Sequence, residues 1–395
     1  MVITLTGVAM GRLPGLSMNR ATICTAGGTL LIVSGALSRE VAFRAIDMDT
    51  IVLLLSMMII NAHLRMAGFF GWVARWTVVS RLSPRGLLAL LMLISGLLSA
   101  LFLNDTIVLS FTPLVLDVVL AVGLPATPFL IALAVSANIG SVATLIGNPQ
   151  NMLIGMASGL SFQRFLFCLG PVALGGLCMA WLILIGLYRR ELAAHVDGGL
   201  VPQQAMTLHP PLLRKSLMVT TLLMVALLAG MPVSLSALGA ATALLITRLG
   251  HPDRLIREVD WGLLLFFAAL FVVTRAVETT GFSARLLSLL VGEGDLSITS
   301  LAVVGLLLSN VVSNVPAVLL LRPLVTHLPW TETAWLTLAM ATTLAGNLTL
   351  LGSVANLIVA ETARRQGVIL GFRAYLRAGL PITLGSLVWG IYWLT

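Results

Sequence analysis

Charge is scarce in this chain. Asp, Glu, Lys and Arg make up 10% of its 395 residues, against about 25% in a soluble domain, which excludes a water-soluble globular protein. A hydrophobic share of 58% equally excludes a disordered chain. Strict alternation of apolar and polar residues is missing too. The apolar runs are continuous, which excludes a transmembrane β-barrel. Cysteine is limited to Cys24, Cys168 and Cys178, all within apolar runs and spaced as neither a disulfide framework nor a metal site; they read as small core residues. HExxH, GxSxG and Walker patterns and a GxGD-like protease pair are absent, and His63, His195, His209, His251 and His327 are scattered. An intramembrane enzyme is therefore only a weak alternative. The first apolar stretch, residues 2–11, lacks a charged region ahead of it and is too short to span.

What is present is the pattern of an all-α polytopic membrane protein. Apolar runs fall near 20–37 and 49–64, followed by a Trp- and Arg-bearing stretch at 71–82 that reads as an interfacial amphipathic helix. The run 86–122 is interrupted at Asn104 and Asp105, each half being shorter than a comfortable crossing, and 126–158 is broken by Gly140, Gly147 and Pro149. A further run at 162–188 completes the first half, and a polar linker begins at residue 189. Beyond it lie runs near 213–230, 232–249 and 260–277, an interrupted run at 297–328, a Gly-broken run at 332–363 and a last span at 372–394.

The two halves repeat each other. NDTIVLSFTPLV (104–115) overlays NVPAVLLLRPLV (314–325) with six identities in twelve, and TLIGNPQNMLI (144–154) overlays TLLGSVANLIV (349–359). DTIVLLL (49–55) matches DWGLLLF (260–266), so the offsets are 210, 205 and 211, in order and nearly in register. The expected division is a first repeat over 1–188 with a re-entrant hairpin at 86–122 and a broken helix at 126–158, a linker over 189–212, and a second repeat over 213–395 with a hairpin at 297–328 and a broken helix at 332–363. About five crossings per half plus one hairpin make the second repeat inverted. With the linker in the cytoplasm and both chain ends outside, 17 of the 23 basic residues lie inside, leaving Arg39, Arg44, Arg164, Arg275, Arg285 and Arg322 outside or embedded. The net charge of +8 is then an orientation signal in a cell (inner) membrane and carries no nucleic-acid function.

Non-helical backbone at membrane depth is tolerated only when buried in protein or lining a cavity. The hairpin tips Asn104-Asp105-Thr106 and Ser313-Asn314-Val315-Pro316 and the breaks 138–149 and 346–353 are such places, and a substrate and ion site is expected where they meet. Gly140, Gly147, Gly346 and Gly352 permit unwinding and close approach. Asn138, Thr144, Asn148, Asn151, Asn347, Thr349, Ser353 and Asn356 supply neutral oxygens and amides, and Pro149 suits the first turn of a restarting half-helix. Asp105 is the sharpest residue: an aspartate at this depth costs about 3 kcal/mol on insertion scales and is functional by default. Its counterpart is Val315, so the halves differ chemically, and Asp105 is the candidate proton or cation carrier. Arg322, in the place of Thr112, can face an anion or snorkel to the interface.

At these residues the chain resembles the ion transporter superfamily that includes arsenite permeases, sodium/proton antiporters of the same fold, silicon efflux carriers and divalent anion/sodium symporters. LFLNDTIVLSFTPLV, SANIGSVATLIGNPQN, SNVVSNVPAVLLL and AGNLTLLGSVANLI resemble the four signature stretches of its arsenite-permease and anion-permease branch. The resemblance implies a homodimer that carries its cargo elevator-fashion on a mobile domain. Dicarboxylate relatives hold sodium with paired Ser-Asn-Thr tips, a pattern that neither tip here reproduces. The first segment also looks truncated beside typical relatives. The function implied is cation-coupled secondary transport of a small inorganic anion or its neutral acid, with arsenite-like export as the leading case; the coupling cation is H+ or Na+, the single Asp105 favouring H+, and no cofactor or resident metal is expected. A sodium-coupled dicarboxylate or citrate symporter and a sodium/proton antiporter are the alternatives within the superfamily.

Overall fold

The computed structural model describes residues 2–11, 15–79, 82–193, 208–246, 252–280 and 296–395. Most of the linker, with His195, lies outside that description, as do Arg12, Arg81, Arg248, His251 and Arg285. The described residues form an all-helical membrane protein without strands. Among the described residues six helices are long and apolar enough to cross a bilayer: Met48–Met66, Pro84–Leu101, Asn104–Ala121, Phe162–Leu187, Pro210–Leu228 and Trp261–Thr279.

In chain order the first half holds α1 (Val2–Met10), α2 (Arg20–Val33), α3 (Arg39–Ala45), α4 (Met48–Met66), α5 (Phe69–Val79), α6 (Pro84–Leu101), α7 (Asn104–Ala121), α8 (Ala126–Ser141), α9 (Pro149–Ser158) and α10 (Phe162–Leu187). The second holds α11 (Pro210–Leu228), α12 (Val233–Leu245), α13 (Pro252–Glu258), α14 (Trp261–Thr279), α15 (Ile298–Val312), α16 (Asn314–Val325), α17 (Thr331–Ala345), α18 (Val354–Arg365) and α19 (Phe372–Leu394).

Local chemistry sets these boundaries. Ser83 accepts from Gly86 N at 3.3 Å ahead of Pro84, so α6 starts two residues before the sequence suggests. With that turn, α6 and α7 are 18 residues each, about 27 Å, longer than the short half-crossings expected. The run 20–37 stops as helix at Val33, where Gly35 takes φ 74°. The aromatic stretch forms α5, with Trp72 and Trp76 exposed. Its first turn turns inward. Phe70 is buried and lies edge-on to Phe102, at the break between α6 and α7, with ring centroids 5.4 Å apart.

The core is centred on α8 and α17. Nearly every residue of α8 is buried, and α17 is buried continuously from Ala334 to Ala345; a helix apolar all round belongs in an interior. α6 packs on α8 as α15 packs on α17. Equivalent contacts then cross between the halves: α7 lies on α18 and α16 on α9, while α8 touches α18 and α17 touches α9. α10 and α19 run against each other outside this centre, and α4, α11 and α12 form a separate bundle that meets it through α9. Helix approach in the first half is close because of glycine. A Cβ on Gly140 would lie 2.1 Å from the carbonyl oxygen of Gly96, and Ser95 and Ser136 share a hydrogen bond of 2.6 Å beside it.

Candidate functional site

Both broken helices are held open by the same device. Asn148 ends the first break as the N-cap of α9, accepting from Asn151 N at 2.8 Å, and Ser353 ends the second as the N-cap of α18, accepting from Ala355 N at 3.2 Å. One turn in, Asn151 donates its amide to the carbonyls of Ser141 (2.9 Å) and Thr144 (3.0 Å). Asn356 donates to those of Gly346 (2.7 Å) and Thr349 (3.0 Å). All three positions are related by 205 residues, the offset of the sequence repeat. Carbonyls that unwinding would orphan are thus satisfied by one buried asparagine in each half.

The two breaks are also tied to each other. Asn138, 2% exposed at the end of α8, donates to Asn347 Oδ1 and Asn356 Oδ1, each at 3.0 Å, and accepts from Asn104 Nδ2 and Ser353 Oγ, each at 3.1 Å. Its counterpart at the 205 offset is Thr343, which donates to Asn151 Oδ1 and accepts from Asn148 and Gln150, all at 3.3 Å. Each half therefore reaches across to the other half's clamp. Tips join their own breaks: Asn104 N donates to Gly147 O at 3.1 Å, Thr144 Oγ1 to Ala100 O, and Asn310 Nδ2 to Ala345 O at 3.2 Å. Asn314 accepts from Ser309 at 2.6 Å, and Pro316 occupies the first turn of α16.

Of the residues singled out from sequence, the structure joins Asn104, Asn138, Thr144, Gly147, Asn148, Asn151, Gly346, Asn347, Thr349, Ser353 and Asn356 in one hydrogen-bonded assembly. Thr349 contributes its carbonyl. Gly140 and Gly352 serve close approach: a Cβ on Gly352 would sit 3.0 Å from Gly346 O. Thr106 donates its backbone N–H to Leu103 O in the first turn of α7. Ser313 stands between α15 and α16 with φ 81°, the one positive-φ residue other than glycine among the described residues. The first break is shorter than 138–149, because α8 stays helical through Ser141 while it is packed on Gly96. Thr343, Gln150, Ser141, Ser309 and Asn310 belong to the assembly and were missed from sequence. The repeat itself carried the signal for Thr343, since the overlay places it opposite Asn138.

Asp105 lies beside this assembly in the first turn of α7, half-buried, and its side chain has no hydrogen bond or ion pair among the described residues. The other carboxylate acting on it is Asp260, the N-cap of α14. Arg322 is in the last turn of α16, and no cationic side chain hydrogen-bonds to the buried assembly among the described residues. Asn347 Nδ2 and Asn310 Oδ1 are left without partners among the described residues. Among the described residues no group of three or more His, Cys, Asp or Glu is arranged to hold a metal ion. The site therefore offers neutral donors and acceptors with one carboxylate at the rim.

Comparison with known proteins gives this arrangement a family. The model of the citrate transporter family matches residues 2–345. The chain is 32% identical to the silicon efflux transporter of rice (Oryza sativa subsp. japonica), over 94% of this chain and 91% of that one. It is 34% identical to a 46 kDa membrane protein of Mycobacterium leprae, covering 95% and 94%, and 26% identical to a putative transporter, arsB, of Dictyostelium discoideum, covering 95% and 87%. Among solved structures, the Alcanivorax borkumensis YdaH transporter superposes with a TM-score of 0.59 at 16% identity, covering 93% of this chain and 88% of that one, a likeness of fold alone. The chain belongs to the citrate transporter family and is a multi-pass membrane transporter.

Proposed function

We propose that this transporter exports a small inorganic oxyacid in its neutral, protonated form, in exchange for protons bound at Asp105. The observation that carries the reading is the chemistry of the buried assembly. Its side chains are amides and hydroxyls, matched to a ligand whose O–H groups both donate and accept, and among the described residues no arginine hydrogen-bonds to it to offset a multiply charged anion. Asp105 supplies a group beside it that can pick up and release a proton. The names of the rice and Dictyostelium relatives agree with such a cargo.

Alternating access is proposed to move the two hairpins and broken helices as one body, elevator-fashion, within a homodimer. The reciprocal bonds between the breaks support a common body, and the matched contacts of the two halves support an inverted repeat. The 18 sequence-selected residues form the proposed substrate and ion site, with the linker in the cytoplasm and both termini outside. Sodium-coupled citrate or dicarboxylate transport is the second reading, favoured by the description of the family model.

Ligand-dependent melting tests the cargo, because stabilisation grows as RT ln(1 + [L]/Kd). Detergent-purified protein is melted with arsenite, antimonite, silicate, phosphate, sulfate, succinate or citrate, in sodium or choline, at several pH values. Stabilisation by one neutral oxyacid that is independent of sodium and depends on pH is expected. Sodium-dependent stabilisation by citrate or succinate overturns the reading in favour of the second.

A further inference from the structure

We infer that the shared end of α10 and α19 is a binding surface for anionic phospholipid headgroups. The two helices are antiparallel: Trp389 Nε1 donates to Pro171 O at 3.1 Å, and further along the seam a Cβ on Gly385 would lie 3.6 Å from Met179 Sδ, so the end of α10 at Leu187 and the start of α19 at Phe372 share the opposite end. That second end gathers Arg189 and Arg190, just past α10, with Arg373 and Arg377 in the first turns of α19, all four exposed. Arg364 and Arg365, at the end of α18, are joined to them by a turn in which Val368 N donates to Ala363 O at 2.9 Å. Arg85 is placed alongside, its carbonyl accepting from Trp181 Nε1 at 3.4 Å.

Acidic residues do not balance this charge. Glu361 pairs with Arg364 and Arg365, and Glu191 is the other carboxylate in these segments. The four arginines nearest the seam have no ion pair among the described residues. Apolar side chains in the same segments select a lipid over a soluble anion. Ile369 is 80% exposed and Phe372 45%, directly between the two arginine groups, and Leu182 and Leu380 are exposed on the helices beneath. At the end of a 26-residue span, that combination sits where headgroup phosphates meet acyl chains. Guanidinium groups there can take phosphate oxygens in pairs while Ile369 and Phe372 enter the acyl boundary.

The test is melting of the full chain in neutral detergent micelles titrated with phosphatidylglycerol, phosphatidylcholine or inorganic phosphate, at low and high salt. Phosphatidylglycerol is expected to raise the melting temperature, more at low salt, while the other two leave it unchanged. Each basic residue near an anionic surface is worth about fivefold in binding. The pair R189Q/R190Q, or R373Q/R377Q, is thus expected to raise the half-saturating phosphatidylglycerol concentration about thirtyfold. Lysine at the same pairs keeps most of the effect and serves where a glutamine pair does not fold. Equal stabilisation by phosphatidylcholine, reproduction by inorganic phosphate, or an unchanged titration in the glutamine pairs overturns the inference.

Discussion

Replacing Asn138 by alanine removes the residue on which both halves converge. The side chain makes four hydrogen bonds, two given and two accepted, and reaches a tip, a break and a clamp of the opposite half. Alanine strands Asn104 Nδ2, the Ser353 hydroxyl hydrogen, Asn347 Oδ1 and Asn356 Oδ1 in an interior from which Asn347 and Asn356 are fully excluded from solvent. A stranded buried partner costs about 1–3 kcal/mol, and relaxation or an entering water recovers part of it, so a loss of about 3–5 kcal/mol follows. With an unfolding entropy of about 2.1 cal/mol/K per residue, a chain of 395 residues loses about 1 °C per kcal/mol. A drop of about 3–5 °C in detergent melting is the expected result. The counterpart Thr343 makes three bonds, all at 3.3 Å, so Thr343→Ala is expected to cost less. An unchanged melting temperature for Asn138→Ala, or a larger loss for Thr343→Ala, refutes the idea that Asn138 is the joint between the halves.

Four other outcomes follow from the same geometry. Gly140→Ala drives a methyl into the backbone of Gly96 and is expected to cost about 3 kcal/mol or more, read as a lower melting temperature, whereas Gly186→Ala, in open space on α10, gains up to about 1 kcal/mol. Ser313→Gly relieves a φ of 81° at a residue whose side chain caps nothing, and is expected to stabilise by about 1 kcal/mol. Arg322→Gln leaves ligand-induced stabilisation by a neutral oxyacid intact, since Arg322 lies outside the buried assembly; loss of that stabilisation contradicts a neutral cargo.

Much of this fold is written in residue types that report depth and interruption. Apolar runs gave the spans because lipid tolerates little else, and the second break falls at 346–353 as read, since Gly346, Gly352 and Ser353 mark both its ends. The first break was read too long. Gly140 signals helix breaking to a reader of sequence, but in the structure it is a contact point for Gly96, and only the partner helix reveals that. Hydrogen-bond direction was not legible either. Thr349 reads as a side-chain oxygen and acts through its carbonyl, and Thr343 and Gln150 read as ordinary polar residues until α9 and α17 are brought together.

The central claim is that Asp105 carries the proton that drives the cargo. Its side chain forms no hydrogen bond or ion pair among the described residues, so Asp105→Asn keeps the shape while removing the titrating group, and folding is expected to survive. The direct measurement is uptake of silicate or arsenite into proteoliposomes with an imposed pH gradient, comparing the natural chain with Asp105→Asn at matched melting temperature. The account predicts gradient-driven accumulation by the natural chain, and in the variant no accumulation against a gradient, whatever the pH. Accumulation by Asp105→Asn with the natural pH dependence contradicts it.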